Sequence, residues 1–345
     1  MAPLGGVGPR RTAGSVKRRH LKATRHNAAM EKRPLGRSSL HVAPLALGGN
    51  VFGWTADEAT SFDILDRFVD TGLTLIDTAN SYSTWVPGHQ GGESETIIGK
   101  WLKRSGRRDA VVIATKVGMA ALGDGAGLEA AQIERHVEGS LRRLQTDRID
   151  LYQTHKDDTA TPVEETLEAL AALVKAGKVR AIGASQYEPA RLRESLEASA
   201  RLGIPRYDTL QPEFNLYDRE HFERTYQPMA LEYGLAVIPF FGLAKGFLSG
   251  KYRKAADIEG RPRAAGLKKY FEGERGLRIL AALDNVSQRV GATQAQVSLA
   301  WLMAQPSIAA PIVSATSLAQ LDEIAAAVRL DLDAEALAEL DRASR

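Results

Sequence analysis

Residues 149–185 read IDLYQTHKDDTATPVEETLEALAALVKAGKVRAIGAS, a stretch that contains one complete β-α-β unit. Its two ends, 149–155 and 179–185, are short apolar runs typical of buried strands. The middle has proline at a first-turn position, acidic residues close behind it, and glycine and lysine at its end, which together indicate a helix. Two strands joined by a helical crossover pair in parallel. The stretch therefore predicts a parallel α/β fold.

The same alternation of strand and helix continues on both sides of this unit, from Leu40 onward. Six more runs complete the set of candidate strands: 42–49, 73–77, 110–116, 207–211, 235–240 and 308–314. Eight parallel strands with helices between them close into a barrel. No Pro/Ser-rich linker or change in composition divides residues 40–340. We therefore expect a single-domain α/β fold, a (β/α)8 TIM barrel over residues 30–345.

A doubly wound open sheet is the competing fold. It predicts a glycine fingerprint directly after the first strand. The nearest match, Gly6-Val7-Gly8, lies near the N-terminus, lacks the third glycine and follows no strand. The barrel is therefore the better interpretation.

Two segments do not fit the barrel pattern. Residues 1–29 contain seven Lys or Arg side chains and no Asp or Glu, whereas the whole chain has 45 basic and 42 acidic residues. The rest of the chain is therefore slightly acidic, which argues against a nucleic-acid-binding surface. We expect the extension 1–29 to be a disordered tail or the result of an upstream translation start, with Met30 opening the domain; a transit-type peptide and an arm for nucleic acid or membrane are the alternatives. Residues 243–275 exceed an ordinary connection in length and predict a lid or a disordered segment.

Cysteine is absent from all 345 residues. Its absence excludes disulfides, cysteine-ligated metals and a thiol nucleophile, and it agrees with the reducing cytoplasm, where we expect the protein. The longest nearly apolar stretch, 234–244, is far shorter than the roughly 20 residues of a membrane span. The sequence also lacks a metal-ligand cluster. We therefore expect no membrane, nucleic-acid or metal partner.

Chemistry in such barrels is assembled at the C-terminal ends of the strands. The side chains that end the candidate strands are Asp77, Lys116, His155, Ser185, Gln211, Phe240 and Ser314. Taken singly, most have an ordinary explanation, such as a helix cap, a lysine that reaches solvent or a buried histidine. In a closed barrel they form a ring around one point, which predicts an active site.

Tyr82 lies five residues after Asp77 in LIDTANSY, close enough to return over the barrel mouth. Its phenol is a candidate proton donor to a carbonyl oxygen, but an unperturbed pKa of about 10 is too high for efficient donation near neutral pH. We expect the Lys116 ammonium to lower that pKa and Asp77 to keep the lysine charged and oriented. His155 is expected to orient the carbonyl and to share in its polarisation.

At these residues the sequence resembles the aldo-keto reductase superfamily, over about residues 33–344. The resemblance rests on eight segments in order: D-T-A-x-x-Y (77–82), ATKVG (114–118), DLYQTH (150–155), TPVEETLEAL (161–170), IGAS (182–185), QPEFN (211–215), GLAKGFLSGKYR (242–253) and PIVSATS (311–317). It implies a (β/α)8 barrel that uses NADPH, or less often NADH. Tyr82 matches the family's general acid, Asp77 and Lys116 its supporting pair, and His155 the position that faces the carbonyl.

The resemblance also implies a nicotinamide site. Ser185 and Gln211 match residues that hydrogen-bond the carboxamide, and Gln186 stands where the family usually has asparagine. Phe240 occupies the place of the aromatic ring that stacks on nicotinamide. An amide, an aromatic face and a hydroxyl are therefore expected around the ring.

The pyrophosphate and adenosine ends depart from the family pattern. Phe241 and Gly242 replace a typical Ser-Pro, so backbone N–H groups near Gly242, Leu243 and Lys245 are expected to bind phosphate. The segment implied to bind adenosine phosphate contains Ser314, Thr316, Ser317, Gln320 and Glu323. Gln320 stands where an arginine often binds the 2′-phosphate, and Ile324 where an asparagine often meets adenine. We expect NADP(H) to be favoured and NAD(H) to be possible.

The expected reaction is the reduction of an aldehyde or ketone, a small-molecule substrate, to an alcohol. Trp54 and Trp85 lie in loops expected at the barrel mouth and are candidate walls of an open substrate pocket. Two alternatives remain: an alcohol or sugar dehydrogenase that runs in the reverse direction, and a cofactor-binding regulatory subunit that resembles potassium-channel β-subunits. His155 argues against the second, because those proteins carry asparagine at that position. The oligomeric state stays open.

Overall fold

The structure, a computed structural model, describes residues 30–260 and 264–345. The expected basic extension, residues 1–29, lies outside the described residues. Of the long connection 243–275, three residues, 261–263, are likewise outside them.

The described residues contain a small hairpin and a large parallel sheet. The hairpin pairs β1 (Arg33–Pro34) with β2 (His41–Val42) in antiparallel register. The parallel strands are β3 (Ala46–Gly48), β4 (Leu75–Asp77), β5 (Val112–Val117), β6 (Ile149–Thr154), β7 (Val179–Ser185), β8 (Tyr207–Gln211), β9 (Ala236–Val237) and β10 (Ile312–Val313). They are ordered β10-β3-β4-β5-β6-β7-β8-β9, and every neighbouring pair is parallel.

The two ends of this sheet meet. Val237 of β9 donates its N–H to Ser307 O at 2.9 Å and accepts from Ala309 N at 2.8 Å. Ile312 at the start of β10 donates to Pro239 O at 2.9 Å. These bonds join β9 to the segment that leads into β10, and β10 pairs with β3. The expected (β/α)8 barrel is confirmed.

Three of the strands are shorter than the sequence suggested. The candidates 42–49, 235–240 and 308–314 contain regular ladder only at Ala46–Gly48, Ala236–Val237 and Ile312–Val313. Each candidate contains a proline outside these limits, at Pro44, Pro239 and Pro311. Proline has no N–H to donate, so it interrupts the ladder while the chain stays extended. Val42 belongs to the hairpin instead.

Helices separate the strands and cover the outside of the barrel. Those in the described part are α1 (Glu58–Asp70), α2 (Glu93–Ser105), α3 (Ala130–Leu144), α4 (Val163–Lys175), α5 (Pro189–Leu202), α6 (Gln227–Tyr233), α7 (Ala264–Leu267), α8 (Arg275–Val290), α9 (Gln294–Met303), α10 (Leu318–Ala326) and α11 (Ala334–Ser344). The helix expected in the opening stretch is α4, which starts directly after Pro162.

The described part of 243–275 is not a structureless loop. It forms helical turns at Ala244–Ser249, Ala255–Ile258, α7 and Lys268–Phe271. Tyr270 is fully buried, stacks on Phe247 with ring centroids 5.0 Å apart, and donates its hydroxyl to Asp218 at 2.9 Å. Lys269 Nζ reaches the same carboxylate at 2.7 Å. Disorder is the wrong interpretation for these turns, because aromatic packing and an ion pair attach them to the barrel.

The hairpin closes the end of the barrel at which the strands begin. Leu35, Leu40 and Val42 pack in one apolar cluster with strand residues such as Leu75 and Leu151. This cluster lies toward the N-terminal ends of the strands, so the polar side chains at the C-terminal ends are left facing the other opening. The barrel interior is therefore apolar at one end and polar at the other.

Loss of packing in the hairpin should destabilise the whole barrel. Leu35 is fully buried, so Leu35→Ala should lower the free energy of unfolding by about 2–5 kcal/mol. Leu231→Ala is the matched control, because Leu231 is 57% exposed and its truncation should change stability by less than about 0.5 kcal/mol. Urea denaturation followed by circular dichroism measures both values. Equal stabilities of the two variants would contradict the closing role of the hairpin.

Candidate active site

Lys116 lies at the centre of the polar end of the barrel. Its Nζ donates to Asp77 Oδ2 at 2.6 Å, to Tyr82 Oη at 2.8 Å and to the Thr78 carbonyl at 2.8 Å. The lysine is fully buried and the aspartate is 1% exposed. All three ammonium protons therefore have acceptors, which a buried ammonium requires.

The second oxygen of Asp77 is bonded from the opposite side of the barrel. Gln211 Nε2 donates to Oδ1 at 2.9 Å and Gln153 Nε2 at 3.3 Å. Gly183 makes room for this arrangement, since a Cβ there would lie 2.1 Å from Thr209 Oγ1 and 3.1 Å from Gln153 Cγ. Side chains from β4, β5, β6 and β8 therefore converge on one carboxylate.

The Tyr82 hydroxyl donates to Asp77 Oδ2 at 2.9 Å. Burial raises the pKa of Tyr82 well above its usual value, and the Asp77 carboxylate raises it further. Burial lowers the pKa of Lys116, while Asp77 and then Glu95 act in the opposite direction. The pKa of Tyr82 is thus raised, whereas we expected from the sequence that it would be lowered. The phenol stays protonated at neutral pH and keeps a proton to donate.

His155 lies beside Lys116, Asp77 and Tyr82. Its ring centroid is 5.9 Å from that of Tyr82, and its Nδ1 is 3.2 Å from Ser81 Oγ. Burial lowers the pKa of His155 well below its usual value, and the Lys116 charge adds to this effect. The imidazole is therefore neutral at neutral pH. If Ser81 donates to Nδ1, the proton of His155 is on Nε2, where it can be donated.

The residues matched to the nicotinamide site lie at the ends of β7 and β8 and after β9. Ser185 Oγ donates to the Gln211 carbonyl at 2.9 Å, and Gln186 Nε2 to the His155 carbonyl at 3.1 Å. Phe240 packs edge-on against Phe241, with centroids 5.0 Å apart. Because the Gln211 Nε2 is directed at Asp77, any carboxamide contact of this residue would use its oxygen.

The chain from Phe241 to Lys245 has an unusual backbone. Phe241, Ala244 and Lys245 have φ values of 55°, 46° and 58°, a region that residues other than glycine rarely adopt. Gly242 is buried, and Leu243 between them is partly exposed. Lys245 Nζ lies 4.9 Å from the centroid of the Phe241 ring. Left-handed residues next to right-handed ones turn successive N–H groups to one side and form an anion-binding concavity.

The segment matched to adenosine phosphate surrounds the start of α10. Ser317 caps the helix by accepting from Gln320 N at 3.3 Å, and Gln320 Oε1 accepts from Thr316 N at 2.9 Å. Ser314 Oγ donates to Asn50 Oδ1 at 2.6 Å, and the Glu323 carbonyl accepts from Gln296 Nε2 at 2.9 Å. Ile324 is buried and faces the interior.

Two tryptophans stand over the mouth. Trp85 is half exposed, and its ring centroid is 6.2 Å from Tyr82 and 5.6 Å from Trp54. An aromatic surface therefore begins next to the Tyr82 ring and continues through Trp85 to Trp54.

Several residues of the site were missed by the sequence reasoning. Gln153, Ser81 and Asn50 contact Asp77, His155 and Ser314, respectively. Strand alternation offered one signal, because Gln153 shares a face with the inward-pointing Leu151. Ser81 lies inside the quoted LIDTANSY segment but carries no pattern of its own.

Residues 30–260 and 264–345 contain neither a metal-binding cluster nor a membrane-spanning helix. Within these ranges no group of three or more His, Asp or Glu side chains is placed to hold a metal ion. Every helix of this described part is too short or too polar to span a membrane.

Comparison with known proteins agrees with the geometry. A sequence model of the aldo/keto reductase family matches residues 44–345. The chain belongs to this family. It is 38% identical over 317 residues to the uncharacterized oxidoreductase YrpG of Bacillus subtilis (strain 168), covering 89% of this chain and 94% of that protein. It is 33% identical over 304 residues to the aldo-keto reductase YhdN of the same organism, covering 86% and 87%.

A third relative has a different kind of name. The chain is 31% identical over 303 residues to a probable voltage-gated potassium channel subunit beta of Arabidopsis thaliana, covering 85% of this chain and 90% of that protein. The family and its oxidoreductase relatives make this aldo/keto reductase an oxidoreductase enzyme. Members of the family generally use NAD(P)H.

The lowered pKa of His155 predicts how stability changes with pH. In the unfolded chain a histidine titrates near pH 6.5, so below that pH the unfolded state binds a proton that the native state does not. The contribution of His155 to the free energy of unfolding is fully present above about pH 6.5. Below that pH the free energy of unfolding falls, with a slope from this residue of up to about 1.4 kcal/mol per pH unit. His155→Gln should remove that share of the slope. Urea denaturation between pH 5 and 8 tests this, and an unchanged slope would contradict the neutral, buried imidazole.

Proposed function

We propose that this enzyme reduces an aldehyde or ketone to the alcohol with NAD(P)H, and that Tyr82 donates the proton. The observation that supports the proposal is one phenol in direct contact with a buried ion pair: Lys116 Nζ is 2.8 Å from Tyr82 Oη and 2.6 Å from Asp77. At the mouth of an aldo/keto reductase barrel, a phenol in this position is suited to proton transfer to a carbonyl oxygen.

The reaction divides between cofactor and protein. The reduced nicotinamide, when bound, supplies hydride to the carbonyl carbon. Tyr82 Oη–H donates to the carbonyl oxygen, which becomes far more basic than a phenolate as it gains charge, so the proton moves although the pKa of the phenol is high. Lys116 then stabilises the phenolate through its existing hydrogen bond. His155 Nε2–H provides a second donor to the same oxygen.

The cofactor fits the residues that line this end of the barrel. Ser185, Gln186 and Gln211 would bind the carboxamide, and Phe240 would stack on the ring. The backbone from Phe241 to Lys245, with Gly242 and Leu243, supports a pyrophosphate site, because three of its residues have positive φ values, a conformation that recurs in anion-binding turns. Ser314, Thr316, Ser317, Gln320 and Glu323 would meet the adenosine end.

The substrate is proposed to enter beside Trp54 and Trp85. An aromatic wall 6.2 Å from Tyr82 at its nearest ring favours the apolar part of a carbonyl compound by stacking. With Trp85 half exposed, the wall is open on one side, which supports broad acceptance of substrates.

The similarity to a potassium channel β-subunit keeps a regulatory role as a second candidate. The two functions differ in one measurable respect. A reductase turns over alone in solution, whereas a purely regulatory subunit binds the cofactor without rapid turnover.

Tyr82→Phe should lower the rate of NADPH oxidation with 4-nitrobenzaldehyde by roughly 10²- to 10⁴-fold, because it removes the transferred proton. Cofactor affinity should stay within about twofold. Tyr207→Phe is the matched control: its hydroxyl contacts Tyr187 at 3.1 Å in the barrel wall, away from Lys116. The absorbance decay at 340 nm and a tryptophan-fluorescence titration measure the two effects. Turnover at the parental rate in Tyr82→Phe would refute the assigned proton donor.

Dinucleotide preference should depend on Gln320. We propose that NADPH is favoured, with Ser317 and nearby basic residues binding the 2′-phosphate, and that NADH is also accepted because the Gln320 amide gives that phosphate no charge partner. Gln320→Arg should tighten NADPH binding about tenfold through a bidentate guanidinium and leave NADH within about twofold. Fluorescence titration of both dinucleotides decides this. An equal gain for NADH would mean that residue 320 does not face the 2′-position.

A further inference from the structure

The segment from Thr78 to Tyr82 carries the phenol but belongs to no helix or strand. Its backbone is bonded to β5 by Thr78 N to Ala114 O at 2.8 Å and Asn80 N to Lys116 O at 3.5 Å. Side chains attach it as well: Thr78 Oγ1 contacts Ser94 Oγ at 2.8 Å, and Ser81 contacts His155. The position of Tyr82 therefore depends on how these side chains are held.

Asn80, in the middle of this segment, is hydrogen-bonded to a residue of helix α3, on the outside of the barrel. It is fully buried, and its Nδ2 lies 2.7 Å from Nδ1 of His136 on α3. His136 is itself 3% exposed. The amide oxygen of Asn80 has no hydrogen-bond partner within the described residues, so the contact with His136 is what orients the amide.

The direction of this bond follows from the amide. Asn80 Nδ2 can only donate, so His136 Nδ1 accepts and the proton of the neutral ring is on Nε2. Burial lowers the pKa of His136, Asp124 raises it, and the Arg135 and Arg143 charges lower it, so the ring is neutral at neutral pH. Nε2 lies 3.2 Å from Asp124 Oδ2, a carboxylate that Arg135 also binds at 3.0 Å, but it has no hydrogen-bond partner within the described residues.

We propose that His136 is a positioning residue for proton transfer, which acts through Asn80 on the segment that carries Tyr82 and Ser81. The inference rests on the proposed function for its catalytic readout. The imidazole accepts from the Asn80 amide, and this bond ties α3 to the irregular segment that carries Tyr82. An error of about 1 Å in the place of a proton donor costs roughly a hundredfold in rate.

Three variants test this positioning role. His136→Leu removes the acceptor at similar volume, and His136→Asn restores an acceptor near the position of Nδ1. Gln132→Leu is the matched control: Gln132 lies on the same helix and donates to the Gly125 carbonyl at 2.6 Å, but it does not touch Asn80. We expect kcat to fall ten- to a hundredfold in His136→Leu, to recover to within about threefold of the parent in His136→Asn, and to stay within about twofold in Gln132→Leu. The Kd of NADPH should remain unchanged in all three.

A readout without turnover separates this proposal from the proposed function. In protein labelled with 3-fluorotyrosine, the Tyr82 ¹⁹F resonance is identified by its loss in Tyr82→Phe. It should shift in His136→Leu and keep its parental place in His136→Asn and Gln132→Leu. If no carbonyl compound is reduced by the parent, the proposed function fails, yet the resonance still tests the positioning role.

Two results would overturn the proposal. One is a His136→Leu protein whose kcat and Tyr82 resonance match those of Gln132→Leu, and the other is a His136→Asn protein as impaired as His136→Leu. Should His136→Leu fail to fold, Asn80→Ser removes the same bond from its other end. We then expect the same shift of the Tyr82 resonance and the same loss of kcat. A Tyr82 resonance and a kcat that both match the parent would refute the positioning role.

Discussion

The ion pair between Lys116 and Asp77 is almost wholly removed from water, and burying two charges costs several kcal/mol per ion unless their hydrogen bonds are complete. Here the hydrogen bonds are complete: Thr78 and Tyr82 accept from the lysine, and Gln153 and Gln211 donate to the aspartate. These partners come from different strands and from the turn after one of them. The pair is therefore stable only in a closed barrel, and closure of the sheet is a condition for the site.

The same ion pair sets the protonation states around it. Tyr82 shares its proton with the aspartate and keeps it, because burial and the carboxylate raise its pKa. His155 is neutral, because burial and the nearby ammonium lower its pKa. The result is two neutral donors beside one buried cation. Such a site holds its protons at rest, and in the proposed reaction Tyr82 releases one when negative charge develops on a bound carbonyl oxygen.

Contacts behind the barrel wall extend this organisation outward. His136 on α3 and Ser81 after β4 touch no ion-pair atom, yet they hold the turn on which Tyr82 lies. Around the long connection, Asp218 plays a comparable part by binding Lys269 and Tyr270. In both places an irregular segment near the site is fixed by polar side-chain contacts to another part of the fold.

Much of this protein was determined by its sequence alone. Short apolar runs alternating with helical stretches predicted a barrel, and the polar residue at the end of such runs pointed to Asp77, Lys116 and His155, because strand ends meet in any closed parallel sheet. Local pattern could not predict the strand limits at the prolines, or the contact of His136 with Asn80, 56 residues apart in the chain. Nor could it give the direction of the Tyr82 pKa, since that depends on burial and on which neighbour the hydroxyl faces. Both are properties of the packed barrel, which tertiary structure alone decides.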